Sequence, residues 1–489
     1  MATRALLINT NDMRPPIAPV GLDYLAEAAA SKGCEVRILD LCFEADAAQA
    51  VADAIHGFHP HVIGVTVRNT DDCYYAGQDF VLPRIKTVVD AVRKNSHAPI
   101  VLGGVGYSIA PKEVLQFLDA DFGIEGDGEE AFCALIDCIS RGRGFDRVPG
   151  LHYREKGKLT HSLPQFVDLD TLPPMRRRFV DNKRHFAEGG QIGFETKRGC
   201  PMACVYCADP VARGRSIRMR SPARVVEELK ALLDQGIDHF HTCDSEFNLP
   251  EEHAVAVCEE IVRAGLGDKI RWYAYCAPTA FSHELAGAMK DAGCAGVDFG
   301  VDSGDDEVLA VLKRHFKSDD LRRTAKVCRE YEIPFMYDLL IGGPGETHTS
   351  VKHTINLMKE IEPDCVGVSV GMRVYSGTRI AESVRNEGPP ASNPALYGNK
   401  EDNPAFIKPV FYISPSVGSA VTGYVEQLIG DDPRFFLATP GDCERNYNYA
   451  DNRILVNAIK AGYRGAYWDI LRRLRLEGKL EEMAEDAQE

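Results

Sequence analysis

Short apolar runs alternate with longer amphipathic segments through the first 145 residues of the chain. Five runs are bounded by polar or glycine residues, which is typical of strands buried in a parallel sheet: RALLINT, CEVRILDL, HVIGVTVR, PIVLGG and ADFGIEG. Between them, apolar residues recur at helical spacing, as in VGLDYLAEAAASKG and FVLPRIKTVVDAVRKN. The alternation predicts an α/β domain over residues 1–145, with a doubly wound parallel sheet that binds its ligand at the carboxyl ends of the strands.

A second alternating series extends from about residue 191 to residue 380. Six further runs predict strands: GFETKRG, HFHTCDSEF, IRWYAYCAP, AGVDFGVDSG, PFMYDLLIGG and CVGVSVGMRVY. Helical segments such as PARVVEELKALLDQG separate them. Six strand–helix repeats predict a partial (β/α)6 barrel of the TIM type, whose functional residues gather at the carboxyl ends of the strands.

Two stretches outside these repeats have different patterns. Residues 146–190 predict a β-hairpin followed by a proline-bearing linker, in which MRRRF at 175–179 is expected to be a solvated turn. Residues 381–489 begin with a loop rich in Pro, Asn and Gly and end in amphipathic helices. They predict a small, α-rich C-terminal domain that covers the barrel and holds an organic substrate. Plain packing is the alternative role for its many aromatic residues.

Composition and charge narrow the class of protein. The hydrophobic content of 45% is typical of a soluble globular protein, and no apolar run approaches the about 20 residues that cross a bilayer. A net charge of −16 argues against nucleic acid or an anionic membrane as a partner, because both repel such a surface. The opening segment, MATRALLINTND, predicts a strand rather than a signal peptide. Most of the 15 cysteines lie in apolar segments, where we expect them to stay reduced in the cytoplasm.

Three cysteines stand apart from that background in ETKRGCPMACVYCADP. Cys200, Cys204 and Cys207 are separated by three and then two residues, directly after the first predicted barrel strand. Four thiolates would close the coordination of a [4Fe-4S] cluster, as in electron carriers, whereas three leave one iron open for a substrate or cofactor. Zinc is the rival metal, but its structural sites usually combine two close ligand pairs, and this segment has one.

This cysteine spacing, together with IGGPGE at 341–346, resembles the radical S-adenosylmethionine (SAM) superfamily over residues 191–380. The resemblance implies a [4Fe-4S] cluster whose open iron binds SAM. It further implies that Asp244 or Glu246 holds the amino group of SAM, that Asp302 and Ser303 contact its ribose, and that Tyr206 and Ile341 contact its adenine. Taken singly, the DSGDD and GPGE motifs are also compatible with ordinary turns and helix caps.

Residues 1–145 resemble the Rossmann-like cobalamin-binding domain that precedes many radical enzymes, in PPIAPVGLDYL, PIVLGGVGYS and DFGIEGDGEEAF. The Asp-x-His-x-x-Gly motif of cobalamin mutases is missing. The resemblance therefore implies cobalamin with its own base displaced and no histidine on the lower face of cobalt. It implies contacts from Thr66, Arg68, Asn69, Gly103, Gly104, Gly126 and Gly128.

Arg68 is the candidate for that lower face. A guanidinium stays protonated and has no free lone pair, so it cannot coordinate the metal. It would exclude water and leave the metal readier to give up a methyl group as a cation. The alternative is an ion pair between Arg68 and Asp71 or Asp72 in the same loop.

The order of the two domains resembles the cobalamin-dependent radical SAM enzymes. That resemblance implies transfer of a methyl group from SAM, by way of methylcobalamin, to an unactivated or aromatic carbon of a small organic substrate, with an external electron donor of the flavodoxin or ferredoxin type. The RNTDD loop and the region NYNYADN…GYRGAYWDIL resemble the branch that contains the tryptophan C2-methyltransferase. A cyclase or rearranging oxidoreductase with the same motifs is the alternative. The sequence names no proton-transfer residue: Tyr275, Asp338 and Arg373 lie at plausible strand ends, and each is also compatible with a structural role.

Overall fold

The computed structural model describes residues 2–439, 445–447 and 451–485. In this part of the chain, none of the helices has both the length and the apolar character that spanning a membrane requires. The N-terminal domain begins with the following elements: β1 (Arg4–Asn9), α1 (Val20–Ser31), β2 (Glu35–Asp40), α2 (Ala47–Phe58), β3 (Val62–Thr66), α3 (Leu82–Asn95), β4 (Ile100–Gly103), α4 (Val105–Ile109), α5 (Pro111–Leu118), β5 (Phe122–Ile124), α6 (Glu129–Arg141), β6 (Leu151–Glu155) and β7 (Lys158–His161).

The first five strands of this domain are parallel and lie in the order β2-β1-β3-β4-β5. Apolar side chains bury both faces of the sheet, with Ile63 and Leu102 in one core and Leu7 and Val101 in the other. The strand order reverses between β1 and β3, which is where such sheets bind their ligands. The predicted doubly wound sheet is confirmed.

The hairpin predicted in the linker is present, but it belongs to the N-terminal sheet. Its two strands, β6 and β7, continue the sheet antiparallel from β5. Pairing covers the edge of β5, which would otherwise expose unpaired backbone groups. The N-terminal domain therefore extends to about His161, beyond the predicted boundary at residue 145.

The barrel follows a short connecting helix, α7 (Asn182–Gly189). Its elements are β8 (Ile192–Phe194), β9 (Lys197–Arg198), α8 (Asp209–Arg213), β10 (Arg218–Met219), α9 (Pro222–Leu233), β11 (His239–Thr242), α10 (Glu251–Arg263), β12 (Arg271–Cys276), α11 (His283–Asp291), β13 (Cys294–Asp302), α12 (Asp306–Val311), α13 (Ser318–Glu330), β14 (Phe335–Ile341), α14 (His348–Ile361) and β15 (Cys365–Val370). The six predicted barrel strands are confirmed as β8, β11, β12, β13, β14 and β15, all parallel and adjacent in this order.

Side chains of the barrel strands alternate between the surrounding helices and the barrel interior. In β14, Tyr337, Leu339 and Ile341 are buried in the outer core. Asp338 and Leu340 lie on the opposite face and are only half-buried. A polar residue in a barrel strand therefore marks the interior face, where ligands bind.

The C-terminal domain contains β16 (Met372–Arg373), α15 (Arg379–Asn386), β17 (Leu396–Gly398), β18 (Val410–Tyr412), α16 (Val421–Ile429), β19 (Phe435–Leu437), α17 (Arg453–Lys460), α18 (Tyr467–Leu476) and α19 (Leu480–Glu485). β19 pairs with β15 and adds a seventh strand to the barrel sheet, which the sequence did not predict. Trp468 packs against Tyr273 with ring centroids 6.1 Å apart, near the amino end of β12. The helices after β19 thereby form a floor for the partial barrel.

A buried ionic network joins the N-terminal domain, the linker and the barrel. Arg177 is fully buried and donates to Asp23 Oδ2 (3.0 Å) and Glu228 Oε1 (2.8 Å). Tyr24 Oη donates to the same Glu228 carboxylate at 2.7 Å. The prediction that MRRRF is a solvated turn is wrong for Arg177, because carboxylates from two domains enclose its guanidinium. Arg176 beside it is exposed.

Candidate functional site

A cavity of about 760 Å³, the central cavity, lies where the three domains meet. The barrel contributes the cysteine motif and the residues that follow β11. The N-terminal domain contributes the loops after β1 and β3, and the C-terminal domain contributes Tyr447, Tyr467 and Trp468. A cavity of this size is typical of sites for cofactors and small molecules.

The loop between β9 and α8 brings Cys200, Cys204 and Cys207 to the central cavity. Gly199 permits the turn into this loop, because its φ is 89° and a Cβ would lie 2.2 Å from Ser216 O. Burial raises the pKa of Cys200 to about 11 and also raises those of the other two thiols. Among the described residues, no three potential ligands lie close enough together for a single metal ion. Three thiols from one loop are the donor set of a cluster with one open iron, whereas structural zinc usually takes four ligands.

The two carboxylates after β11 have different surroundings. Asp244 accepts hydrogen bonds from Thr196 N (2.8 Å), Thr196 Oγ1 (2.5 Å) and Lys197 N (3.2 Å), so it holds the chain that leads into the cysteine loop. Glu246 lines the central cavity and, among the described residues, none donates a hydrogen bond to its side-chain carboxylate. Burial raises the pKa of Glu246 to about 7. Glu246 is therefore the carboxylate that is available to a ligand.

Arg314, in the loop between α12 and α13, connects the cysteine loop to β13. Its guanidinium donates to Cys204 Sγ at 3.1 Å and forms an ion pair with Asp302 (Nε to Oδ2, 3.3 Å). Tyr206 Oη donates to the same Asp302 oxygen at 2.7 Å. The structure thus brings together two of the predicted SAM residues directly behind the cysteines. Sequence analysis missed Arg314, because a basic residue in a loop gives no signal of its own.

A second cavity of about 350 Å³, the cleft, opens at the carboxyl ends of the N-terminal strands. It is lined by six of the seven predicted cobalamin residues: Thr66, Arg68, Gly103, Gly104, Gly126 and Gly128. Asn69 lines the central cavity instead. At Gly104 the φ is 103° and a Cβ would lie 2.6 Å from Val67 O, so a larger residue does not fit. The inner walls are apolar, with Leu7 and Leu102 among them. This narrow, apolar shape fits the displaced base of a cobalamin.

Arg68 lies at the junction of the two cavities and lines both. Its guanidinium donates to Met13 Sδ at 3.1 Å. The alternative ion pair with Asp71 or Asp72 is not formed, since Asp71 binds Arg373 at 2.7 Å. Desolvation by the surrounding protein lowers the pKa of Arg68. The side chain of Arg68 is nevertheless accessible from the two cavities. Arg68 is thus a free cation beside the space that a corrin would take, whereas Arg373 is structural.

Four of the six predicted SAM contacts line neither cavity: Tyr206, Asp302, Ser303 and Ile341. Ser303 is fully buried, and its hydroxyl shares a hydrogen bond of 3.0 Å with the hydroxyl of Thr354. Ile341 points into the outer core, while its neighbour Leu340 packs in the same cluster as Tyr206. The contacts of Ser303 and Ile341 with SAM stay predictions.

The deepest wall of the central cavity is aromatic. Tyr275 lies at the end of β12, and its ring packs on His241 at a centroid distance of 4.7 Å. Tyr447, Tyr467 and Trp468 line the cavity from the C-terminal domain. The segment NYNYADN lies only partly within the described residues, and Tyr449 is outside them.

Three cysteines in one loop, adjacent to a cleft at the carboxyl ends of a doubly wound sheet, are typical of a radical SAM enzyme with a cobalamin domain. The family comparisons agree. The Radical SAM superfamily model matches residues 194–358, and the B12 binding domain model matches residues 8–136.

Comparisons with individual proteins extend this assignment over the whole chain. A tryptophan 2-C-methyltransferase from Streptomyces laurentii is 30% identical and covers 94% of each chain. The structure of the radical SAM methyltransferase TsrM from Kitasatospora setae, bound to tryptophan and a SAM analogue, is 31% identical, with a TM-score of 0.92 over 99% of this chain and 100% of that one. The cobalamin-dependent enzyme OxsB, at 16% identity and a TM-score of 0.69, supports the fold alone.

The chain therefore belongs to the family of cobalamin-dependent radical SAM methyltransferases. A second TsrM structure contains cobalamin and a [4Fe-4S] cluster, at 29% identity and a TM-score of 0.90. The predicted enzyme class and the three predicted cofactors, the [4Fe-4S] cluster, SAM and cobalamin, are confirmed.

Proposed function

We propose that this methyltransferase methylates a ring carbon of tryptophan or of a closely related indole amino acid. The observation that carries the proposal is the aromatic wall of the central cavity, made by Tyr275, Tyr447, Tyr467 and Trp468. Aromatic side chains favour flat aromatic ligands through offset and edge contacts. The relative from Streptomyces laurentii is named for the same substrate, and the Kitasatospora setae enzyme was solved with tryptophan bound.

Each cofactor has candidate residues in this chain. Cys200, Cys204 and Cys207 would hold the cluster, and Glu246 would accept a hydrogen bond from the amino group of SAM. Asp302, held by Tyr206 and Arg314, would complete the wall behind SAM. Cobalamin would lie in the cleft on the residues Thr66, Gly103, Gly104, Gly126 and Gly128, with Asn69 at the rim. When bound, it supplies the methyl group that originates from SAM.

Arg68 would keep water and other ligands away from the lower face of cobalamin. It is cationic, has no lone pair for the metal, and lies at the junction of the cleft and the central cavity. In Arg68→Ala, we expect the spectrum of bound cob(II)alamin to shift towards that of a water-ligated form. Arg93→Ala, on the exposed face of α3, is the control and should leave the spectrum unchanged. Identical spectra for the wild type and Arg68→Ala would contradict this role.

The reaction is tested by anaerobic incubation of the reconstituted enzyme with tryptophan and methyl-labelled SAM. We expect S-adenosylhomocysteine and a tryptophan that carries the label on a ring carbon. An altered but unlabelled product, formed with 5′-deoxyadenosine, would instead favour the cyclase or rearrangement alternative. Failure to methylate tryptophan and a panel of other indoles would refute the indole substrate. We also propose an external donor of the flavodoxin or ferredoxin type, which omission of reductant would test.

A further inference from the structure

The interior of the barrel contains a carboxylate that has no partner, Asp298 on β13. Its exposed fraction is 1%, and neither carboxylate oxygen has a hydrogen-bond partner among the described residues. Asp338 is nearby on β14 and accepts a hydrogen bond from Tyr447 Oη at 2.7 Å. In the described part of the chain, no Lys or Arg forms an ion pair with either carboxylate.

Asp298 stands directly behind the aromatic wall of the central cavity. In the pairing of β12 with β13, it lies opposite Tyr275. Paired residues of neighbouring strands point to the same face, so Asp298 points into the barrel as Tyr275 does. Tyr275 and Tyr447 both line the cavity, and Tyr275 is 38% exposed. A group that enters between these two phenols would meet the Asp298 carboxylate.

A buried carboxyl group without a hydrogen-bond partner destabilises the protein unless a ligand supplies the missing hydrogen bond. Burial and the neighbouring Asp338 carboxylate raise the pKa of Asp298 well above its usual range. Other buried carboxylates of the chain have several hydrogen-bond donors. Asp244 accepts three hydrogen bonds, and Asp23 is held by Arg177, Asn182 and Phe179 N. The contrast indicates that the partner of Asp298 is a ligand and not a residue of the described part of the chain.

We propose that Asp298, supported by Asp338, binds the ammonium group of the methyl acceptor. This inference rests on the proposed function and deepens it, because it restricts the substrate to aromatic compounds that carry a protonated amine. An ammonium has three N–H donors and one positive charge, so it supplies both the hydrogen bonds and the charge that the two carboxylates lack. An indole acid without the amine would leave Asp298 buried and unpaired.

Equilibrium dialysis with the anaerobic enzyme, loaded with cluster and cobalamin, tests this pairing. Three probes share the indole ring: tryptophan, tryptamine, which has the amine alone, and indole-3-propionate, which has the carboxylate alone. Since a hydrogen bond to a charged group contributes about 1.5–3 kcal/mol, we expect indole-3-propionate to bind about 10- to 100-fold more weakly than tryptophan. Asp298→Asn should weaken tryptophan and tryptamine by the same factor and leave indole-3-propionate unchanged. Asp291→Asn, at an exposed position, is the control and should bind all three as the wild type does.

The comparison of the three probes in the wild-type enzyme does not depend on whether the Asp298→Asn variant folds. Equal affinity for tryptophan and indole-3-propionate would overturn the inference while leaving the indole substrate intact. A preference for amines that survives in Asp298→Asn would also overturn it. If none of the three probes binds, the proposed function fails together with the inference. This outcome differs from equal affinity for tryptophan and indole-3-propionate, because no indole is bound at all.

Discussion

Replacing Arg177 by Met removes the guanidinium that holds two domains together and keeps the aliphatic part of the side chain. Arg177 is fully buried and pairs with Asp23 and Glu228. Breaking a buried ion pair from one side costs about 3–5 kcal/mol, because the remaining charges stay buried. Glu228 retains Arg220 as a partner, so we expect the lower end of this range, about 3 kcal/mol. Unfolding entropy is about 2.1 cal/mol/K per residue, so a 489-residue chain that unfolds as a unit loses about 1 °C in Tm per kcal/mol, or about 3 °C here.

The same tripeptide supplies matched controls for this measurement. Arg176 is exposed, and Arg178 is exposed with one ion pair of 3.4 Å to Glu27. Arg176→Met should therefore change Tm by less than about 0.5 °C, since Arg176 is exposed, and Arg178→Met should lower Tm by less than Arg177→Met does, since only Glu27 of its ion pair is buried. Thermal unfolding of the three variants, followed by circular dichroism under identical conditions, separates the expectations. An Arg177→Met protein as stable as its two neighbours would refute the assignment of this network to domain cohesion.

Three further predictions concern the cofactors and the substrate. Cys207→Ala should lower the iron and sulfide content of the anaerobically reconstituted protein below four per chain, whereas Cys34→Ala should retain a full cluster. Gly104→Ala should lower retention of cobalamin on gel filtration at least tenfold, because φ is 103° and the new Cβ would lie 2.6 Å from Val67 O; full retention would contradict the cleft assignment. Burial raises the pKa of Asp338, and burial together with the Asp338 carboxylate raises the pKa of Asp298 well above its usual range, so tryptophan affinity should rise with pH as the two carboxyl groups ionise; an affinity that does not rise with pH would contradict ionised carboxylates in binding.

The features that sequence predicted well are those carried by local patterns. Short apolar runs predicted the six barrel strands, because a parallel strand that is buried on both faces needs a nearly continuous apolar stretch. The spacing of Cys200, Cys204 and Cys207 placed all three thiols in one cavity, since a single short loop holds them. Among the glycines of the cleft, Gly104 and Gly126 have a positive φ that favours glycine, whereas Gly103 and Gly128 have room for a Cβ.

The features that it missed depend on which distant segments meet. The hairpin of β6 and β7 was predicted, but nothing in its own residues says that it continues the sheet from β5. Arg177 belongs to a basic triplet that is typical of a solvated turn, and its burial follows from carboxylates about 50 and 150 positions away. The predicted contact between Ile341 and SAM stays a prediction: the side chain of Ile341 packs in the outer core and Leu340 packs in the cluster of Tyr206, an alternation set by the register of the strand.

Ionisable side chains at the domain boundaries and cavities of this chain fall into two groups, and the second group lies where ligands would bind. Arg177 and Arg373 pair with carboxylates across domain boundaries, so their charges are neutralised within the protein. Arg68, Glu246 and Asp298 lie along or directly behind the cavities, and in the described residues no ion pair neutralises them. An ionisable group without a partner at a cavity is tolerated where a ligand completes its contacts. On the proposals above, Arg68 would face cobalamin, Glu246 would face the amino group of SAM, and Asp298 would face the ammonium group of the substrate.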